Sequence, residues 1–148
     1  MELLYMMTDE KNCSNPIIAT LVPEGRRLHI LPRYFGNRSR RGEALVYYWM
    51  RSFCQEYDGG YWEFYELSNG VFFMAPKMGA EATFRLVNPM NYFEGGVSPE
   101  AAGLIVCLMA FSALAAETEE DRYIILFDKL RDYALQHSEA GSIFRAID

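Results

Sequence analysis

The stretch GGYWEFYELSNGVFFMAP, residues 59–76, decides the fold because it has the pattern of two strands joined by a tight turn. Residues 61–67 and 71–75 are rich in aromatic and apolar side chains, which are typical of strands. Ser68, Asn69 and Gly70 lie between them, and these residue types suit a hairpin turn. The stretch therefore predicts an antiparallel hairpin, whose aromatic side chains could form a base-stacking platform, a ligand pocket or a cover for the core.

The two predicted strands differ in charge, and this difference favours a core role for the hairpin. Glu63 and Glu66 interrupt the aromatic faces of the first strand, whereas the second strand, VFFMA, has no charged residue. An uncharged strand suits a central position in a sheet that is covered on both sides. A base-stacking platform needs basic neighbours, and Lys77 and Arg85 are the only ones nearby in the sequence.

A helix is predicted from about Gly42 to Gly59-Gly60. Apolar residues recur there at helical spacing, and they form a stripe that consists of Val46, Met50, Phe53 and Tyr57. Two successive glycines are typical of the end of a helix.

Two longer helices are predicted in the last third of the chain. Ser98 and Pro99 give the first of them a capping hydroxyl and a proline in the first turn, and it is predicted to end at Ala116. The second runs from about Glu119 to Ser138. Its buried face is predicted to hold Tyr123, Phe127, Leu130 and Ala134, and its start resembles a capping arrangement of Thr118 with Asp121. SIFRAI, residues 142–147, is predicted to add a short terminal turn.

Two further segments are predicted to be extended. RRLHILPRYFG is expected to form a short strand or extended segment that ends before Pro32, and Ala82–Val87 is expected to be a third strand. NPMNYFEGG, residues 88–96, is expected to be a loop. Together these elements predict one domain over residues 1–148, with residues 1–15 loose. Its fold class is α+β, a small three-stranded antiparallel meander packed with about three to four helices.

AAGLIVCLMAFSALAA, residues 101–116, has no charge and resembles a membrane span in composition. It is shorter than the roughly 20 residues that a span needs, and acids flank both of its ends. A buried core helix is therefore predicted, with no membrane partner. The start of the sequence lacks the pattern of a signal peptide, and Cys13, Cys54 and Cys107 follow no disulfide or metal-binding spacing. We therefore expect a cytoplasmic protein.

Support for catalysis is thin in the sequence. The two histidines are His29 and His137, and neither has an identifiable nucleophile or acid–base partner from spacing. His137 is expected to have a structural or surface role near the end of its helix. The phosphate-binding glycine loop, the nucleophile elbow and the Cys-His metal pattern are all missing from the sequence. The sequence thus predicts a non-enzyme without a catalytic residue, metal or cofactor.

The segment from Arg26 to Arg41 has the most unusual chemistry. It contains six of the fourteen basic residues and no acid, although the net charge of the chain is −6. One interpretation is a docking surface for nucleic acid or for an acidic protein, and the other is a solvated loop whose arginines pair with the acidic body. The candidate partner-binding residues are Arg33, Tyr34, Arg38, Arg40 and Arg41.

The densest acidic cluster consists of Glu117, Glu119, Glu120 and Asp121. It is open to two interpretations, an imitation of DNA phosphates or acids attracted to the positive end of a helix dipole. The second is favoured, because a DNA imitator needs negative charge along much of its length.

Three motifs together resemble those of a known family: RLHILPRYFG, RGEALVYYWM and GGYWEFYELSNGVFFMAP. Their order and spacing, followed by FEGGVSPEAAGLIVCLMAFS, are similar to those of the ArdB/KlcA antirestriction family over roughly residues 17–116. The sequence departs from the family at Tyr34, where a histidine often stands. The resemblance gives no catalytic residue.

The resemblance implies a small α+β protein of plasmids and other mobile elements. It implies a non-enzymatic inhibitor of type I restriction–modification that protects incoming plasmid or phage DNA and is distinct from the acidic DNA mimics. Its implied partner is the type I restriction complex, contacted directly or indirectly. Strong DNA binding is not expected, and a monomer is favoured. The alternative is a nucleic-acid-binding module that uses the Arg26–Arg41 segment.

Overall fold

The protein is described by a computed structural model over residues 15–79 and 81–148. The strands are β1 (Ala19–Leu21), β2 (Trp62–Leu67), β3 (Phe72–Pro76), β4 (Phe84–Asn88) and β5 (Phe93–Val97). The helices are α1 (Arg27–Phe35), α2 (Ser39–Phe53), α3 (Pro99–Thr118), α4 (Asp121–Gln136) and α5 (Ala140–Ile147). The predicted α+β class is confirmed. Cys13 lies outside the described residues, and so do residues 1–14 of the start that was expected to be loose.

The predicted hairpin is present as β2 and β3, which pair antiparallel with Phe64 opposite Met74. Gly70 closes the turn with a φ of 91°, a backbone conformation that favours glycine. The prediction of the third strand was wrong: β1 joins this sheet instead, in the order β1-β2-β3. The middle strand is therefore β2, not β3 as expected. β3 is nevertheless buried on both faces, because α3 packs against it, α1 contacts Phe72 and Tyr133 of α4 contacts Phe73.

The strand predicted at Ala82–Val87 begins at Phe84 and belongs to a separate two-stranded sheet with β5. The expected loop over 88–96 was wrong, because its second half is β5. Two asparagine side chains fold the turn between the strands. The Met90 N–H donates to Asn88 Oδ1, and the Phe93 N–H donates to Asn91 Oδ1, both at 3.0 Å. This local side-chain bonding turns the chain back on itself.

The expected extended segment around Pro32 was also wrong, because Arg27–Phe35 is the helix α1 with Pro32 inside it. Proline removes one backbone donor and disfavours a helix interior. Packing outweighs that cost here. Tyr34 stacks on Phe72 with ring centroids 5.0 Å apart, and Phe35 contacts the same ring edge-on at 5.5 Å. Both side chains can reach Phe72 because the helix places successive residues on the core side.

The other helices follow the predictions with shifted ends. α2 starts at Ser39 and ends at Phe53, so Tyr57 lies outside it, because Cys54 is already extended. α4 is slightly shorter than predicted, and α5 is a two-turn helix rather than a terminal turn. The expected cap of Thr118 with Asp121 is wrong. The Thr118 hydroxyl instead donates to the Leu114 carbonyl and accepts from the Glu120 N–H.

The core is organised around α3. Ser98 caps this helix as predicted, accepting from the Ala101 N–H at 3.1 Å. Within the described ranges α3 is the one helix whose length and composition would suit a membrane span, but every side chain from Ala101 to Leu108 is buried in the molecule. Gly103 lets β3 approach closely, because a Cβ there would lie 2.4 Å from the Met74 carbonyl oxygen. α3 therefore serves as a core helix.

Candidate functional site

The arginine-rich segment folds as α1 and α2, which are joined by the tight 3-10 turn Gly36–Arg38. The two helices pack closely against each other at this corner. Gly42 of α2 allows this close packing, because a Cβ at that position would lie 2.5 Å from the Phe35 ring. The segment is thus a rigid helical corner rather than the solvated loop considered in one interpretation. Its six arginines divide into two groups by what their guanidinium groups contact.

The first group is paired with acids of the protein's own body, as the same interpretation proposed. Arg26 and Arg33 both reach Glu66 on β2, and the Arg33 Nη1 to Glu66 Oε2 distance is 3.4 Å. The remaining two pairs join this corner to the junction of α3 and α4. They are Arg38 with Glu120, at 3.2 Å, and Arg41 with Glu117.

Glu66 lies at the centre of the first two pairs, and its environment stabilises its charged form. The Tyr34 hydroxyl donates to Glu66 Oε2 at 2.5 Å. This hydrogen bond, followed by that from Arg26, lowers the pKa of the Glu66 carboxyl. Burial and the same carboxylate raise the pKa of Tyr34 to about 12. Tyr34 is therefore a buried anchor for Glu66 and not an exposed contact residue.

The second group consists of Arg27 and Arg40. Within residues 15–79 and 81–148, neither guanidinium lies within ion-pair distance of a carboxylate. Arg27 instead lies over the rings of Tyr61 and Phe64, at 4.6 and 4.5 Å from their centroids. Arginine on an aromatic face keeps its charge and several of its donors available.

Arg27 and Arg40 line a common groove on the outside of the helical corner. The groove has a volume of about 570 Å³. The residues that define this Arg27–Arg40 groove are Arg27, Leu28, Leu31, Pro32, Arg40 and Phe64. Leu28 is 88% exposed. The groove therefore combines an apolar surface with two cationic groups that have no acidic partner among the described residues.

Glu43 of α2 also lines the groove and adds one negative charge to it. Burial, followed by the charge of Glu43, raises the pKa of Tyr47 to about 12.

The structure does not bring the predicted partner-binding residues together. Arg40 lines the groove, whereas Arg33 and Tyr34 line a separate pocket with Arg122 of α4. Arg38 and Arg41 face the acids at the junction of α3 and α4. Arg27 and Leu28 were missing from the prediction, because an extended segment does not place residues 27, 28, 31 and 32 side by side. A helical interpretation of the segment would have found them.

The acidic cluster at 117–121 is largely accounted for by the fold. Glu117 and Glu120 pair with arginines, and Asp121 lies in the first turn of α4. The hydrogen bond from Arg41 lowers the pKa of Glu117. Half of these acids are thus neutralised by neighbours, which is unlike the continuous negative charge of a DNA imitator.

A second polar cleft lies beside His137, where α3, α4 and α5 meet. His137 Nδ1 accepts the Glu139 N–H at 3.0 Å, so Nε2 carries the ring proton and faces Glu100 Oε1 at 3.2 Å. The hydrogen bond to His137 lowers the pKa of Glu100, which also accepts from Tyr133. Glu139 accepts from Ser98. These groups satisfy one another and tie three helices together, and the described residues contain no cluster with the ligands for a metal ion.

Comparison with known proteins gives this architecture a context. The family model described as Antirestriction protein matches residues 55–148. Antirestriction protein KlcA of Escherichia coli is 44% identical over 138 residues, covering 90% of this chain and 96% of KlcA. The uncharacterized protein YafX of Escherichia coli (strain K12) is 42% identical over 134 residues, covering 89% of this chain and 88% of YafX.

A solved structure of the KlcA and ArdB proteins has the same fold. It matches with a TM-score of 0.83 at 44% identity, and the match covers 90% of this chain and 96% of the solved one. These similarities confirm the resemblance noted in the sequence motifs, and they favour the antirestriction interpretation over a nucleic-acid-binding module. The chain belongs to the antirestriction protein family.

Proposed function

We propose that this protein inhibits type I restriction in the cell and so protects incoming plasmid or phage DNA. The observation that carries the proposal is the match to the KlcA and ArdB proteins, which show antirestriction activity against Type I DNA restriction systems in vivo but not in vitro. An identity of 44% across nearly the whole chain supports the transfer of this activity.

The inhibition is non-enzymatic and proceeds through protein contacts. His29 is exposed on α1, and His137 is bonded to the backbone of Glu139 and faces Glu100. Neither arrangement supplies a nucleophile with its base. An activity that is present in vivo but not in vitro, as for KlcA and ArdB, supports a role for a further cellular component. The type I restriction complex in the cytoplasm is then the target, reached directly or through that component.

The distribution of charge does not support inhibition by strong binding to DNA. Four of the six arginines of the helical corner form ion pairs with three carboxylates, those of Glu66, Glu117 and Glu120. The net charge of −6 disfavours contact with a polyanion.

The test is a restriction assay in cells with an active type I system. Expression of the protein is expected to raise the plating efficiency of unmodified phage at least tenfold, and to change nothing in a matched strain that lacks the restriction subunit. Fully modified phage provides the control for general effects on infection. Unchanged plating of unmodified phage at verified expression of folded protein would falsify the proposal.

A further inference from the structure

We propose that the Arg27–Arg40 groove binds an acidic amphipathic segment of a partner protein. Apolar side chains of that segment would contact Leu28, Leu31 and Pro32, and its carboxylates would pair with Arg27 and Arg40. The inference rests on the proposed function, because it names the contact surface through which an inhibitor without catalytic groups acts.

The apolar side chains of the groove are exposed in addition to the apolar face that α1 already buries in the core. α1 already buries Ile30, Tyr34 and Phe35 against the core. Leu28 lies in the first turn of the same helix and is 88% exposed. Leu31 and Pro32 continue this surface into the groove, which has a volume of about 570 Å³ and therefore admits a few side chains. An amphipathic segment fits such a groove by placing apolar residues of one face in it.

The charges around the groove identify the chemistry of the segment. The arginines of the helical corner that have acidic partners in the protein face other surfaces, whereas Arg27 and Arg40 line the groove and have none among the described residues. Guanidinium groups bind carboxylates with paired hydrogen bonds. An acidic segment thus complements both cationic groups, and a basic segment would be repelled by them.

A nucleic acid is a poorer match for the same surface. The groove offers the guanidinium groups of Arg27 and Arg40 beside an exposed leucine, and Glu43 lines it as well. Glu24 lies close by, accepting a hydrogen bond from Tyr61 at 3.0 Å. A phosphate backbone would meet these acids, whereas a folded segment can direct its carboxylates to Arg27 and Arg40 alone.

The binding test uses a phage-displayed library of random 16-residue peptides, selected on the full chain and counter-selected on an R27Q/L28S/R40Q variant. The expected peptides carry Glu or Asp together with Leu, Ile or Phe at spacings of three and four residues. A synthetic consensus peptide should bind the wild-type protein at least tenfold more tightly than the variant, as measured by fluorescence anisotropy. Equal recovery on both proteins, or selection of basic peptides, overturns the proposal.

The matched control is R38Q/R41Q, which also removes two positive charges but outside the groove. It should bind the consensus peptide within threefold of the wild type. Circular dichroism establishes that both variants are folded, and Leu28 is suited to substitution because it is so exposed. Two competitors test the assignment to a protein partner: duplex DNA of 20 base pairs and vesicles containing anionic lipid. If either displaces the labelled peptide more effectively than unlabelled peptide does, the assignment is overturned.

The assay in cells separates this inference from the proposed function. With R27Q/L28S/R40Q, the plating efficiency of unmodified phage is expected to be at least tenfold lower than with the wild-type protein. R38Q/R41Q is expected to protect as well as the wild type. Full protection by the groove variant overturns the groove as the contact surface and leaves the antirestriction function intact. A lack of protection by the wild-type protein instead removes the function, whatever the peptides show.

Discussion

At the scale of single residues, the hydroxyl of Tyr34 links α1 to β2. Its ring stacks on Phe72, and its hydroxyl donates to Glu66 at 2.5 Å. Two types of interaction therefore meet in one side chain, which is only 8% exposed. This residue was predicted to contact a partner, yet its ring packs in the core and its hydroxyl is already engaged.

Tyr34→Phe is expected to lower the free energy of unfolding by about 1–2 kcal/mol, because a hydrogen bond to a charged group is lost while the stacked ring remains. Urea unfolding followed by circular dichroism measures this change. The control is Tyr48→Phe, the same substitution at a residue that is 54% exposed, which should change stability by less than about 0.5 kcal/mol. Equal effects of the two substitutions would contradict the role assigned to the hydroxyl.

Glu66 predicts a pH dependence of stability. Its pKa in the folded protein lies below the ordinary 4.5, chiefly because of the hydrogen bond from Tyr34 and then that from Arg26. A lowered pKa stabilises the folded state at pH values above the ordinary pKa of the carboxyl. This contribution disappears as the pH falls through the folded-state pKa. Unfolding free energies between pH 6 and pH 3 should therefore fall less steeply for Glu66→Gln than for the wild type. Glu81→Gln, at an exposed glutamate, should retain the wild-type slope, and parallel curves for all three proteins would refute the prediction.

At the scale of secondary structure, the contact of α3 with β3 depends on Gly103. Gly103→Ala improves helix propensity by about 1 kcal/mol, but overpacking typically costs about 1–3 kcal/mol. The added Cβ would lie 2.4 Å from a backbone oxygen and 2.6 Å from the Cβ of Ala75, so the steric cost is expected to prevail. Net destabilisation should be visible in thermal unfolding.

Gly141→Ala is the matched control for Gly103→Ala. Gly141 lies in α5, and a Cβ there would meet nothing within 4 Å. This substitution should therefore stabilise the protein by about 0.4–1 kcal/mol. If Gly103→Ala is stabilising as well, β3 and α3 are not in the close contact described.

The elements that could be predicted from the sequence are those with strong local signals. Residues 59–76 and the cap at Ser98 combine turn or capping chemistry with a clear apolar pattern, and both predictions are confirmed. α1 could not be predicted in the same way, because Pro32 disfavours a helix locally and the contacts with Phe72 that outweigh it come from a distant part of the chain.

The candidate site was predicted only in part for the same reason. Arg40 was among the predicted residues, but Arg27 and Leu28 are brought beside it only when α1 is helical. The ion pairs that distinguish Arg38 and Arg41 from Arg40 are formed with residues about 80 positions away, and no local pattern reveals such distant partners.

At the scale of the whole molecule, the pairs Arg38–Glu120 and Arg41–Glu117 join the helical corner to the junction of α3 and α4. Exposed ion pairs contribute about 0–1 kcal/mol each and are screened by salt. R38Q/R41Q should therefore lower the free energy of unfolding by less than about 2 kcal/mol, and this decrease should be smaller in 1 M NaCl. Arg40→Gln is the control and should change stability by less than about 0.5 kcal/mol. A salt-independent loss well above 2 kcal/mol would contradict the description of these pairs as surface contacts.

The placement of β1 has a consequence for how the chain folds. The Ile18 N–H donates to the Ser68 hydroxyl across 50 residues, and the Ile17 N–H donates to Gln136 across 119. Closing loops of that length costs entropy before any contact compensates for it, and high contact order slows folding. The hairpin and the helices can form from neighbouring residues, but β1 must wait for β2 to leave the ribosome. Docking of β1 is therefore expected to be a late event of folding.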